Sequence, residues 1–127
     1  MTSQIACGID LVDIARFKDL NRAIWQRFTE RVFTEEEQAY IGTSFERAAG
    51  IFSAKEAVAK ALGCGIGTIT WQDIGVNHGE AGNPVVVLKG GAASLSAQLG
   101  VTNWSISISH TRTSACAVAV ALMQGPL

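Results

Sequence analysis

The sequence predicts an α+β fold in which an antiparallel sheet packs against helices. Three observations carry that prediction. Stretches alternating with period two stand near both ends of the chain, at 4–10 and 104–122. A long helical run with clear start and stop signals fills the middle, at 44–62. Helices and strands are interleaved, but mostly not in the β-α-β order of a parallel sheet. With 127 residues, 48% of them hydrophobic, residues 1–127 read as one folded domain without repeat or linker.

The first strand is predicted at 4–10, where Ile5, Cys7 and Ile9 alternate with Gln4, Ala6 and Gly8. A helix is expected from Asp13, an N-cap residue type, with Ile14, Phe17, Leu20 and Ile24 as its apolar stripe. Thr34 followed by Glu37 is a capping box that opens a short helix ending near Gly42. The long helix at 44–62 turns Phe45, Ala48, Ala49, Phe52, Val58 and Leu62 to the core, and Gly63 stops it. A glycine-rich loop, 63–67, follows at once. A short strand is predicted at 69–74, a turn at 78–83 and a buried strand at 84–88 opened by Pro84. Small residues at 90–99 form a helix closed by Gly100. Strands at 104–108 and 114–122 make an antiparallel hairpin across 109–113.

Charge and cysteine content exclude several classes. A net charge of −1 gives no global basic field for nucleic acid. Three cysteines without short ligand spacing argue against a zinc site or a disulfide framework, and for a reducing cytoplasm. The longest apolar run, 115–123, is too short to cross a membrane as a helix, and no signal peptide is read at the N-terminus. Positive charge does cluster in the first third, at Arg16, Lys18, Arg22, Arg27 and Arg31.

The chemistry collects at three polar positions. In Phe52-Ser53-Ala54-Lys55-Glu56-Ala57-Val58-Ala59-Lys60, Glu56 and Lys60 are one helical turn apart on one face. Lys55 lies about 100° round the cylinder from Glu56. A carboxylate beside ammonium groups can hold a divalent cation and a polyanion together. The plainer alternative is an exposed pair contributing about 0.2–0.5 kcal/mol. Asp10 ends an apolar strand, where it either caps the next helix or serves a site. His110 sits at the last hairpin tip, and His78 reads as an ordinary turn residue. The loop at 63–67 lacks the Gly-Lys-Ser/Thr of a P-loop, but its amides stand within reach of a phosphate near Lys60.

Together, Gly8-Ile9-Asp10, the Phe52–Lys60 motif and Ser107-Ile108-Ser109-His110-Thr111 resemble the 4′-phosphopantetheinyl transferases. Order, spacing and length match the short bacterial type over nearly the whole chain. The resemblance implies transfer of 4′-phosphopantetheine from coenzyme A to a serine of apo acyl carrier protein, with release of adenosine 3′,5′-bisphosphate. Fatty acid biosynthesis is the implied setting. It places Mg²⁺ on Asp10 and Glu56, and gives Lys60 and His110 catalytic roles at the phosphates. Ser53, Lys55, Lys60, Gly63, Gly65, Gly67, Ser109, His110 and Thr111 fall at or beside coenzyme A contacts. Arg16, Arg22 and Arg27 are the expected contacts to the acidic carrier. The base for the serine is Glu56 or a water that it orients. A homotrimer with active sites at subunit boundaries is implied as well. The chain departs from the family pattern at Ile51, often arginine, and at Cys64, commonly threonine; both bear on coenzyme A contacts. The alternative is a non-catalytic module of the same fold that binds coenzyme A or a nucleotide. The full set of Asp10, Glu56, Lys60 and His110 argues against it.

Overall fold

The computed structural model describes residues 2–64 and 69–125. Five strands and five α-helices are formed by the described residues. They are β1 (Thr2–Asp13), α1 (Ala15–Lys18), α2 (Arg22–Val32), α3 (Glu35–Ile41), α4 (Phe45–Ala61), β2 (Ile74–His78), β3 (Pro84–Leu88), α5 (Gly90–Gln98), β4 (Val101–His110) and β5 (Ser114–Gly125). A 3-10 turn, Trp71–Asp73, precedes β2. The expected α+β architecture is present, with all strand pairs antiparallel. One sheet runs β1-β5-β4, and a separate hairpin pairs β2 with β3.

Helix α4 is the centre of the molecule. Ser44 caps it by accepting from the Arg47 amide, and Gly63 follows its end at φ +73°, a conformation that suits glycine. From Ala48 to Ala59 every residue except Glu56 is buried. One face of the helix lies on the sheet. Its close approach follows from small residues on both sides: Ala115, Ala117, Ala119 and Ala121 on β5 are buried beneath it. A Cβ built on Gly8 of β1 would overlap the Ala57 carbonyl oxygen, and one on Gly50 would stand 2.9 Å from Ile108 Cγ2 of β4. The helix therefore crosses the sheet from β4 to β1. Away from the sheet, an aromatic cluster of Phe17, Trp25, Phe28, Phe45, Phe52 and Trp71 packs around it.

The register puts the larger apolar residues on the outer face of the sheet. Ile5, Cys7, Ile9 and Leu11 pair with Leu122, Val120, Val118 and Cys116. Ile5, Ile9 and Leu11 are 74%, 60% and 69% exposed.

Several predicted boundaries shift. β1 runs through Asp13, so Asp13 ends a strand rather than capping a helix. The single helix expected after it is two, because Asn21 caps a fresh start by accepting from the Ile24 amide at 2.9 Å. Ile24 is then exposed instead of continuing the stripe. The strand expected at 69–74 is largely the 3-10 turn, and β2 begins where that strand was to end. β3 forms as expected but is half-open, with Val85 and Val87 exposed. β4 and β5 outrun their predicted ends, and their link is the shorter Thr111-Arg112-Thr113.

Candidate active site

The Gly8–Ala57 contact fixes what lies two residues further along β1. Asp10 is on the same inner face as Gly8, opposite Ala117, and so stands against the flank of α4 that carries Glu56 and Lys60. Lys60 Nζ is 3.3 Å from Asp10 Oδ1 and donates to the Ile9 carbonyl at 2.9 Å. Glu56 is half-buried beside them. Burial first, and the Asp10 charge second, push the Glu56 carboxyl above its ordinary pKa, while Lys60 and Arg16 pull it back. Arg16 belongs to this cluster: its guanidinium lies over the Phe52 ring, 5.4 Å from the centroid. Asp10 Oδ2 is buried and has no hydrogen-bond partner among the described residues. Two like charges are thus held close, with one oxygen unpartnered. That arrangement favours a cation between them.

His110 is elsewhere. It ends β4 on the inner face, with Nδ1 3.3 Å from the Thr111 carbonyl. It lines a groove of about 470 Å³ together with Tyr40, Arg47, Gly50, His78 and Pro84. Glu56 follows Arg47 by nine positions, which places them about 180° apart round α4. Within one chain the helix therefore stands between the carboxylate pair and the His110 groove. The groove wall is an aromatic and cationic stack. His78 lies on Tyr40 with centroids 3.8 Å apart, and the Arg47 guanidinium covers the Tyr40 ring at 4.9 Å. Arg47 also donates to the Tyr40 carbonyl at 2.9 Å. Burial and Arg47 hold the His78 pKa below its ordinary value.

Two residues expected at or beside coenzyme A contacts are turned away from solvent. Lys55 is wholly buried on a salt bridge to Glu37 at 2.7 Å. Ser53 is wholly buried as well, donating to the Ala115 carbonyl at 3.5 Å. Both polar tips are engaged by protein acceptors. Gly63 is exposed at the end of α4, and Gly65 and Gly67 lie outside the described residues. Ser109 faces the outer side of the sheet, opposite Cys116, so it and His110 point to opposite faces. Thr111 Oγ1 closes the hairpin by accepting from the Thr113 and Ser114 amides. Arg22 and Arg27 are exposed on α2.

Sequence reasoning missed Tyr40, Arg47 and His78 as groove residues. They come from three separate elements, and no spacing links them. Ile51 lines the same groove one helical turn after Arg47, so the cation absent at 51 has a neighbour at 47.

Residues 6–119 match the model of the 4′-phosphopantetheinyl transferase superfamily. The chain is 41% identical over 122 residues to a holo-[acyl-carrier-protein] synthase of Caldanaerobacter subterraneus, covering 94% of this chain and 95% of that one. It is 42% identical over 119 residues to a holo-[acyl-carrier-protein] synthase of Natranaerobius thermophilus, covering 91% and 95%. The fold superposes on the Helicobacter pylori holo-[acyl-carrier-protein] synthase in complex with coenzyme A, with a TM-score of 0.82 and 31% identity over 91% of this chain and 98% of that one.

Proposed function

Since the chain belongs to the 4′-phosphopantetheinyl transferase superfamily, we propose that it transfers 4′-phosphopantetheine from coenzyme A to a serine hydroxyl of apo acyl carrier protein. Residues 1–127 act as one transferase domain, in the cytoplasm, serving fatty acid biosynthesis. The observation that carries the reading is the Asp10–Glu56 pair, with its unpartnered carboxylate oxygen and Lys60 alongside. Asp10 and Glu56 would hold Mg²⁺, an ion that prefers one or two carboxylates together with phosphate oxygens and water. The chemistry such an ion would supply there is neutralisation of charge on the pyrophosphate.

The chain's own groups do the rest. The serine oxygen attacks the β-phosphorus, and the bond to the bridging oxygen breaks. The departing adenosine 3′,5′-bisphosphate carries the negative charge away. Lys60, 54% exposed and free to swing, meets the phosphoryl oxygens as charge builds. A carboxylate that holds a cation is a weak base, so Glu56 serves the serine proton through a water that it orients. Arg16, at the edge of the cluster, and Arg22 and Arg27 on α2 face the acidic carrier.

A homotrimer joins the two half-sites. The exposed Ile5–Leu11 stripe on β1 is an apolar face of the kind that marks an interface. A neighbouring copy seated on it brings its His110–Arg47 groove to the first copy's Asp10 and Glu56, and the nucleotide of coenzyme A lies in that groove. Sedimentation tests the assembly. Intact mass of an apo acyl carrier protein, after incubation with the chain, coenzyme A and either Mg²⁺ or EDTA, tests the activity. A Mg²⁺-dependent gain of one phosphopantetheine is expected; no gain with coenzyme A still bound points to a binding module.

A further inference from the structure

Helix α4 carries a second lysine–carboxylate contact, on a different face from the first. Lys55 Nζ meets Glu37 Oε1 at 2.7 Å and donates to the carbonyls of Ile74 at 2.6 Å and Trp71 at 3.0 Å. Three acceptors account for all three ammonium protons. Glu37 is filled as well: Oε1 accepts the Thr34 amide at 2.8 Å and Oε2 accepts the Val76 amide at 2.7 Å. Both side chains are wholly buried. The start of α3, the middle of α4, the 3-10 turn and the start of β2 therefore meet at one saturated polar node.

Stability alone does not call for such a node, since a well-packed apolar pair holds a core as well or better. A buried ion pair does supply direction. The partners around Lys55 come from three elements, so its ammonium has one place to be. Lys55 is two residues from Ala57, about 200° round the cylinder, and so faces away from the sheet contact at Gly8. Small side chains at the sheet contact let α4 come close but offer little against rolling about its axis. The node on the far side blocks that roll. The next residue is Glu56.

We propose that Lys55, through its buried pair with Glu37, is a positioning residue: it sets the rotation of α4 and so aims Glu56 at Asp10. This rests on the reading of Asp10 and Glu56 as the transferase's carboxylate pair.

The test compares the wild type with Lys55→Met and with Lys55→Met/Glu37→Gln. The single variant strands a buried carboxylate and risks unfolding. The double variant buries no charge, and glutamine still fits the third position of the capping box. The double variant is expected to unfold cooperatively, as the wild type does. Its kcat should fall about 100-fold, with KM for coenzyme A within about twofold. Its affinity for Mn²⁺ in the presence of coenzyme A, counted by paramagnetic resonance of the free ion, should weaken about tenfold or more. A folded double variant with wild-type kcat and Mn²⁺ affinity overturns the proposal. So does a double variant that no longer folds, because the node is then an element of stability. If the wild type binds Mn²⁺ but transfers nothing, the transferase reading falls alone, and the Mn²⁺ comparison still decides the role of Lys55. A wild type that binds no Mn²⁺ overturns both.

Discussion

Lys55 and Lys60 stand five residues apart on one helix, and each meets a carboxylate. Lys55 has no exposed surface and spends every proton on protein acceptors. Lys60 is 54% exposed, sits 3.3 Å from Asp10, and leaves the second Asp10 oxygen unpartnered. A filled polar cluster holds shape, because nothing in it is left to bind. An unfilled one, buried at the edge of solvent, retains capacity for a ligand at some cost in stability. The same residue types one and a half turns apart thus serve opposite ends.

The comparison predicts that the two lysine–carboxylate contacts fail differently. Asp10→Asn and Glu56→Gln should each lower phosphopantetheine transfer about 10³-fold. The melting temperature should hold or rise, since each change removes one of two repelling charges; a carrier mass assay and a thermal scan read the pair. Lys55→Met should show the reverse emphasis in stability, losing about 3–5 kcal/mol in denaturant unfolding because Glu37 is left buried and alone. Lys60→Met should slow transfer about 10–100-fold yet change unfolding free energy by no more than about 1 kcal/mol, as exposed pairs do. If Lys60→Met destabilised the fold more than Lys55→Met, the distinction would collapse.

The smallest expected effect lies across the helix, at His78. Its folded pKa is below its ordinary value, so the unfolded chain takes up the proton first. Stability should therefore decline as pH falls below about 6.5 and through the lowered folded value. Unfolding curves for His78→Asn between pH 5 and pH 8 should lose that part of the slope.

The carboxylates and Lys60 are legible in the sequence because strand and helix periods alone place them: Asp10 follows Gly8 by one full pleat, and Glu56 and Lys60 share a turn. The capping box at Thr34 and the stop at Gly63 are local, and local rules find them. Lys55 is not legible as a buried group. Its burial depends on Glu37, which the capping box assigns to a different task, and on the carbonyls of Trp71, in a 3-10 turn that periodicity reads as strand, and of Ile74 just after it. The sheet poses a related difficulty. Strands β1 and β5 alternate small residues with large apolar ones, and alternation does not say which set the helix covers. Alanine and glycine lie inside because α4 comes near enough to exclude anything larger. The break at Asn21 is written in a cap residue, but the apolar spacing of Ile14, Phe17, Leu20 and Ile24 runs straight through it.

The strand order β1-β5-β4 also bears on how the protein is made. Its middle strand is the last one along the chain, and Thr2 waits for Gly125. During synthesis β1 emerges first and has no partner until β5 has left the ribosome. Until then Ile5, Cys7, Ile9 and Leu11 travel on an open edge, the kind of segment that a chaperone covers and that aggregates without one. Closure of so long a loop makes the sheet slow to form. Asp10 acquires its strand partner, Ala117, only at that late step, so a nascent chain carries both carboxylates well before the strand beneath one of them is fixed.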